Sequence, residues 1–223
     1  MSRLSPLQVR ILRVLSAMSP PWRLTGGGAL VGVHTKHRTT RDLDLFLSEV
    51  ESLADTARQT EALLIADGLE VTHLATSPLH VRLLVSADGE RIVVDLVADP
   101  VPAIDPPVEV EVSGITMVVD TPREILVNKL CALLSRSELR DIEDVLALQD
   151  LGVDLADAIE SSPRKDAGFS PLTLAWTLRG VDVHTLGRVE GWTERRIEEV
   201  DAARHRLIDS ILAAVNDPDT EQS

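Results

Sequence analysis

The sequence predicts an α/β chain of the α+β kind. A mixed sheet with flanking helices occupies residues 1–120, and a helical C-terminal lobe fills 121–223, closing a cleft between the two. Three observations predict this. Between residues 22 and 119, short aliphatic and β-branched runs alternate with Gly, Pro and Asp punctuation at strand spacing. From Pro122 onward the apolar residues recur at helical spacing. The chain has 223 residues, 44% hydrophobic and 26% charged, enough to bury one core or two small ones. With 2% aromatics and no Tyr, that core is made of Leu, Val, Ile and Ala.

In chain order, Ser5-Pro6 opens a helix with an apolar stripe of Val9, Ile11, Leu12, Leu15 and Met18. Trp22 to Thr25 is a short strand, Gly26-Gly27-Gly28 a sharp turn, and Ala29 to Val33 the start of a small helix. Asp42-Leu43-Asp44-Leu45-Phe46-Leu47 is a strand. Its two-residue period puts both aspartates on one face and the three leucines on the other. A helix from about residue 50 to 66 ends at Gly68. Strands follow near 69–75, 80–86, 91–97, 108–112 and 115–119, with a proline-rich connector from Pro100 to Pro107. Asp88-Gly89 between two β-rich runs signals a hairpin. Asp120 or Thr121 can cap the helix that Pro122 opens, with Glu124 completing a capping box. A further helix covers Glu138 to Leu148, residues 161–170 form a loop, and Trp192 to Val215 is a long amphipathic helix before a frayed tail from 216 to 223. No internal repeat or low-complexity segment is visible.

The chemistry concentrates in residues 22–47. A glycine turn opening a helix lets backbone N–H groups approach a phosphate. Adjacent carboxylates on a strand repel, so Asp42 and Asp44 call for something positive between them. A divalent metal carrying a nucleoside triphosphate meets that need. Asp95, in the middle of the aliphatic run Arg91 to Val97, is the candidate third carboxylate; the alternative is a residue on the wet face of a half-exposed strand. Lys129 lies among apolar helical positions, where it must snorkel to water or meet an anion. Arg140 and Asp144, at i and i+4, have the spacing of a surface ion pair.

Composition excludes several classes. The net charge of −14, from 22 basic and 36 acidic residues, argues against broad nucleic-acid binding. A local basic mouth remains open: His34, Lys36, His37, Arg38 and Arg41 precede the aspartate pair, and Arg123, Lys129, Arg136 and Arg140 could converge from the helical half. The alternative for the first cluster is a solvated loop. The single cysteine, Cys131, excludes an intrachain disulfide framework and fits a reducing cytosol. Met1 to Ser19 lacks the apolar stretch of a signal peptide, and no run is long enough to span a membrane, so a cytoplasmic location is expected.

The glycine turn and the aspartate pair, in that order and spacing, resemble the DNA-polymerase-β-like nucleotidyltransferases. More narrowly, GGGAL…HRTTRDLDLF resembles the AbiEii/MenT-type nucleotidyltransferase toxins. The later run K-L-x-A-L…R-x-x-x-R-D-I-x-D-V-L-x-L, from Lys129 to Leu148, is similar to their C-terminal signature. The resemblance covers residues 20 to 150. It implies a nucleotidyltransferase-fold sheet and an enzyme that transfers an NMP from an NTP to the 3′ end of tRNA, with Mg2+ or Mn2+ as cofactor. A cognate antitoxin is the implied protein partner; nothing bears on oligomeric state. Asp42, Asp44 and Asp95 would hold metal, while Gly26, Gly27, Gly28, Arg38 and Lys129 would hold the nucleotide. Asp141 or Asp144 would complete the pocket, and the sequence leaves open which. Thr40 stands where some relatives are phosphorylated by the antitoxin. The chain departs from the family pattern at Gly28, where Thr or Ser is usual, so a hydroxyl that could touch the triphosphate is missing. Rival expectations are nucleotidylation of a small, aminoglycoside-like molecule or of a protein hydroxyl, and a non-catalytic binding or regulatory member of the fold.

Overall fold

The structure is a computed structural model that describes residues 3–35, 37–48, 53–136 and 138–215. Lys36 of the basic loop, the 50–52 start of the second long helix and the 216–223 tail lie outside the described residues. The chain divides into two compact units, Met1–Thr121 and Pro122–Ser223.

In the first unit, Ser5 caps helix α1 (Pro6–Leu15) in a full capping box with Gln8. The buried face of α1 is Leu7, Gln8, Ile11, Leu12 and Leu15; Val9, assigned to the stripe from sequence, is only half-buried. Gln8 is fully buried because its side chain is saturated: Nε2 donates to the Thr40 and Asp42 carbonyls (3.3 Å each), and Oε1 accepts from the Ser5 N–H (2.8 Å). It thereby ties α1 to the segment that delivers the aspartate pair.

Strands β1 (Arg23–Thr25), β2 (Asp42–Leu47), β3 (Glu70–Ser77), β4 (His80–Ala87), β5 (Glu90–Ala98), β6 (Val108–Val112) and β7 (Ile115–Val119) form, among the described residues, one sheet of order β3-β4-β5-β2-β1-β7-β6. β2 pairs parallel with β5 and β1 parallel with β7; the other neighbours are antiparallel. The β4–β5 hairpin turns on Asp88 and Gly89, both in the left-handed region (φ 51° and 81°), the conformation an Asp-Gly pair favours. Leu43, Leu45, Val81, Leu83, Val85, Ile92, Val94 and Leu96 line the inner face, packed under α1 and helix α3 (Leu53–Ala66). Each fully buried leucine there contributes about 1.5–3 kcal/mol. The alternation that buries the leucines of β2 leaves Asp42, Asp44 and Phe46 half-buried on the opposite face.

The second unit is helical: α4 (Pro122–Ser135), α5 (Leu139–Asp150), α6 (Leu155–Ser161), α7 (Pro171–Gly180), α8 (Val183–Val189) and α9 (Glu194–Val215). Asp154, Ser170 and Asp182 cap α6, α7 and α8 by accepting from backbone N–H groups. The expected loop at 161–170 is shorter than predicted: Ser161 ends α6, and Ser162–Arg164 forms a 3-10 turn. Arg204 of α9 is buried because its guanidinium reaches the Leu178 carbonyl of α7 at 2.9 Å and Asp201 at 2.8 Å. Two residues read from sequence as caps form buried ion pairs. Asp120 is fully buried against Arg23 (3.0 Å), and Glu124 against Lys165 (2.5 Å). No helix is long and apolar enough to cross a membrane, among the described residues.

Candidate active site

The three glycines lie in the opening of a helix rather than in a turn ahead of it. A helical turn, α2 (Gly26–Ala29), runs into a wider π-helical turn at Leu30–His34. Gly26 has φ +56°, and a Cβ there would sit 2.1 Å from Asp44 Oδ2. A Cβ on Gly27 would meet Thr40 Oγ1 at 3.0 Å, Arg38 Nη2 at 3.2 Å and Asp42 Oδ1 at 3.6 Å. Both glycines thus bare their backbone toward the aspartate pair, where any side chain would intrude. Gly28 faces the other way. Its Cβ would meet Leu24 Cδ1 at 3.1 Å and Leu43 Cδ2 at 3.2 Å, inside the apolar layer. The missing hydroxyl at this position therefore has a packing reason.

Thr25 pairs with Asp44 across β1 and β2, and Asp44 pairs with Asp95 across β2 and β5. The three acidic side chains therefore share one face of the sheet. The Thr40 hydroxyl, buried, donates to Asp42 Oδ1. Asp95 is 7% exposed and heavily partnered: Oδ1 receives His80 Nε2 at 2.6 Å and Arg82 Nε at 3.0 Å, and Oδ2 receives Arg82 Nη2 at 3.1 Å. Sequence reasoning missed His80 and Arg82. The signal was present: counting back from the two-residue Asp88-Gly89 turn pairs Arg82 with Asp95, and strand alternation puts His80 on the same face.

Asp42 and Asp44 offer hard carboxylate oxygens from alternate positions of one strand. Mg2+ is characteristically held by one or two carboxylates together with substrate phosphates. These two residues fit that description. Among the described residues, no group of three or more His, Cys, Asp or Glu is arranged to hold a metal ion, and Asp95 is turned to His80 and Arg82. The fit is that of a carboxylate pair.

The basic loop carries less charge than its composition suggests. His34 Nε2 donates to the Asp120 carbonyl at 2.9 Å, and burial, outweighing that hydrogen bond, holds its pKa below the usual histidine value. It is neutral at pH 7. His37 Nδ1 is 2.6 Å from Thr35 Oγ1. Arg38 donates to the Thr39 carbonyl at 3.0 Å with its other end beside Gly27, and Arg41 is exposed.

In the helical unit, Lys129 Nζ sits 2.6 Å from Asp141 Oδ1 and 2.8 Å from Asp144 Oδ2, all three buried. Both aspartates between which the sequence left the choice open bind the lysine. Burial alone would lower the Lys129 pKa, but Asp144 and Asp141, by charge and hydrogen bonding, carry it above the usual lysine value. Arg136 adds a second cation to Asp141, with Nε 2.9 Å from Oδ2. Of the four cations named from sequence, Lys129 and Arg136 meet at Asp141, while Arg123 pairs with Asp157 (2.5 Å) and Arg140 lies 4.0 Å from Glu190. The i, i+4 pair of Arg140 with Asp144 gives way because Asp144 points inward to Lys129.

Comparison with known proteins places this geometry. Residues 10–219 match the family model described as nucleotidyl transferase AbiEii toxin, type IV TA system. No curated protein matches the sequence. Among solved structures, JHP933 from Helicobacter pylori aligns with a TM-score of 0.54 at 17% identity, over 97% of this chain and 95% of its own. MenT4, a nucleotidyltransferase toxin from Mycobacterium tuberculosis, aligns with a TM-score of 0.53 at 17% identity, over 89% of this chain and 91% of its own. At such identities these neighbours establish the fold, a nucleotidyltransferase fold, while the family match extends over nearly the whole chain. This chain belongs to the AbiEii family of nucleotidyltransferase toxins, whose members work in type IV toxin–antitoxin systems.

Proposed function

We propose that this enzyme transfers an NMP from an NTP to the 3′-terminal hydroxyl of tRNA and releases pyrophosphate, and that a cognate antitoxin restrains it. The observation that carries the reading is the close approach of Gly26 to Asp44, so close that a Cβ on Gly26 would overlap the Asp44 carboxylate. A triphosphate lying along the glycines has its charge next to the carboxylate pair. Asp42 and Asp44 hold the divalent cation, Mg2+ or Mn2+. When bound, that ion neutralises triphosphate charge and polarises the phosphoryl group. Arg38, whose guanidinium borders Gly27, and the backbone of Gly26, Gly27 and Gly28 hold the nucleotide.

Asp95 is level with Asp44 one strand over. With both oxygens engaged by His80 and Arg82, it fits the attacking hydroxyl better than a metal: Oδ2 accepts the proton as the acceptor oxygen bonds to the α-phosphorus and the α–β bridging bond breaks. The family resemblance also gives Lys129 a duty toward the triphosphate, completed by Asp141 and Asp144. Within its own unit the lysine is held by those two aspartates.

The net charge of −14 favours a second reading, a cationic small-molecule acceptor, over a polyanion. The departure at Gly28 does not favour a non-catalytic member of the fold, because a side chain there would meet Leu24 and Leu43 in the apolar layer. Incubating the protein with α-labelled NTPs and total RNA, an aminoglycoside panel or protein extract in parallel separates these readings. Label in the tRNA band supports the proposal; label on drug or protein alone replaces the acceptor.

A further inference from the structure

We propose that Arg82, with His80 beside it, forms an acceptor subsite that holds a phosphodiester of the RNA near its reactive 3′ end. The inference rests on the transfer reading above and adds a place for the acceptor within the first unit. The Arg82 guanidinium meets Asp95 side-on, Nε to Oδ1 at 3.0 Å and Nη2 to Oδ2 at 3.1 Å. Such a fork uses one edge of the guanidinium and fixes its plane. The other edge, Nη1 and the second Nη2 hydrogen, has no partner among the described residues, and the side chain is 47% exposed. A cation held in plane by a buried carboxylate, with its outer edge open, suits a second anion.

Position decides which anion. Across the face, the order is glycine turn, Asp44 on β2, Asp95 on β5, Arg82 on β4, then Ala75 on edge strand β3. Neighbouring strands are ~4.8 Å apart, so Arg82 lies on the far side of Asp95 from the triphosphate cradle. The donor nucleotide occupies the glycine side and the acceptor hydroxyl approaches Asp95, so an anion at Arg82 belongs to the acceptor. Beyond it, Thr72, Ala75 and Ser77 pair with Leu84, Arg82 and His80, share their face, and are exposed. Small side chains there leave a path along which a strand can lie. His80, bound to Asp95 Oδ1, keeps that carboxylate in place when Arg82 is changed.

The test compares wild type, Arg82→Ala and Arg82→Lys, each first shown to melt normally. Transfer to tRNA is measured against tRNA and NTP concentration at several salt concentrations. Binding of a 3′-terminal RNA oligonucleotide is measured separately by fluorescence anisotropy without NTP. Losing one charge-assisted phosphate contact should raise the tRNA KM and the RNA Kd by about tenfold or more. The NTP KM should not move, and the salt dependence should flatten by about one phosphate contact. Arg82→Lys should recover part of the loss. A fall in kcat with unchanged tRNA KM, RNA Kd and salt slope makes Arg82 only a support for Asp95 and overturns the subsite, as does a shift confined to the NTP KM. If wild type labels no RNA, the transfer reading fails; the anisotropy then decides alone, and equal or absent RNA binding by wild type and Arg82→Ala overturns the subsite too.

Discussion

Replacing Gly26 with alanine puts a methyl carbon 2.1 Å from Asp44 Oδ2 and 2.9 Å from its Cγ, in a backbone whose φ is +56°. Two costs follow. An L-residue in the left-handed region costs about 1–2 kcal/mol. The overlap forces the Asp44 carboxylate to move, adding about 1–3 kcal/mol of overpacking strain. The carboxylate yields more cheaply than the backbone, so the damage falls on the site more than on the fold. We expect Gly26→Ala to lower stability by about 2–5 kcal/mol and to abolish detectable transfer. Gly28→Ala is the control. Its methyl meets Leu24 and Leu43 at 3.1 and 3.2 Å, a contact that side-chain adjustment relieves for about 1 kcal/mol, with transfer retained. Urea denaturation gives the stability difference, and labelled NTP turnover at matched folded fractions gives the activity. A folded Gly26→Ala enzyme with the wild-type rate refutes the reasoning that the glycines clear space for the carboxylate pair.

Asp44→Asn should eliminate transfer while leaving the melting temperature unchanged or higher, because it removes repulsion from Asp42 and from Asp95 directly opposite; a large drop in melting temperature would assign Asp44 to the fold instead. Lys129→Met removes the cation that buried Asp141 and Asp144 share and should cost about 3–5 kcal/mol by urea denaturation. At matched folded fractions its NTP KM then reports whether the lysine also serves the triphosphate; a wild-type KM confines it to structure. His34 is held neutral in the folded chain, so the unfolded chain binds more protons in the window below the ordinary histidine pKa of 6.5. Stability should therefore be full above that value and decline as pH falls through it. His34→Asn should flatten the decline, and an identical pH profile counts against the assignment. Thr40→Glu sets a negative charge against Asp42 and should be inactive, whereas Thr40→Ala, losing one hydroxyl contact, should largely retain transfer. Intact-mass measurement after co-expression with the antitoxin tests whether Thr40 is modified in the cell; an unmodified but neutralised protein points to another route.

Local signals carried much of the fold into view from sequence. The Ser5-Pro6 helix start, the Asp88-Gly89 hairpin and the alternation of Asp42 to Leu47 are each decided by neighbours within a few residues, and such features leave a mark in sequence. The glycine turn was recognisable, but not the direction each glycine faces, because that depends on Asp44 and Leu43, which arrive from a different strand. His80 and Arg82 stood one counting step away, hidden because Asp95 was considered along its own strand rather than across the ladder. Buried charges were least legible. Glu124 finds Lys165, Asp120 finds Arg23, and Asp144 turns from Arg140 to Lys129, in each case through partners far away in the chain or through burial that local spacing does not encode. Gln8 is similar: its burial makes sense only once the carbonyls of Thr40 and Asp42 lie above it.

The most direct test of the central claim is the site of label on the acceptor. Purified protein, Mg2+ and each α-labelled NTP in turn are incubated with intact tRNA and with tRNA whose 3′-terminal hydroxyls have been removed by periodate oxidation. The account predicts label on intact tRNA, released as the terminal nucleotide by 3′-exonuclease digestion, and none on oxidised tRNA or with Asp44→Asn. Equal labelling of intact and oxidised tRNA, or label that Asp44→Asn leaves undiminished, contradicts it.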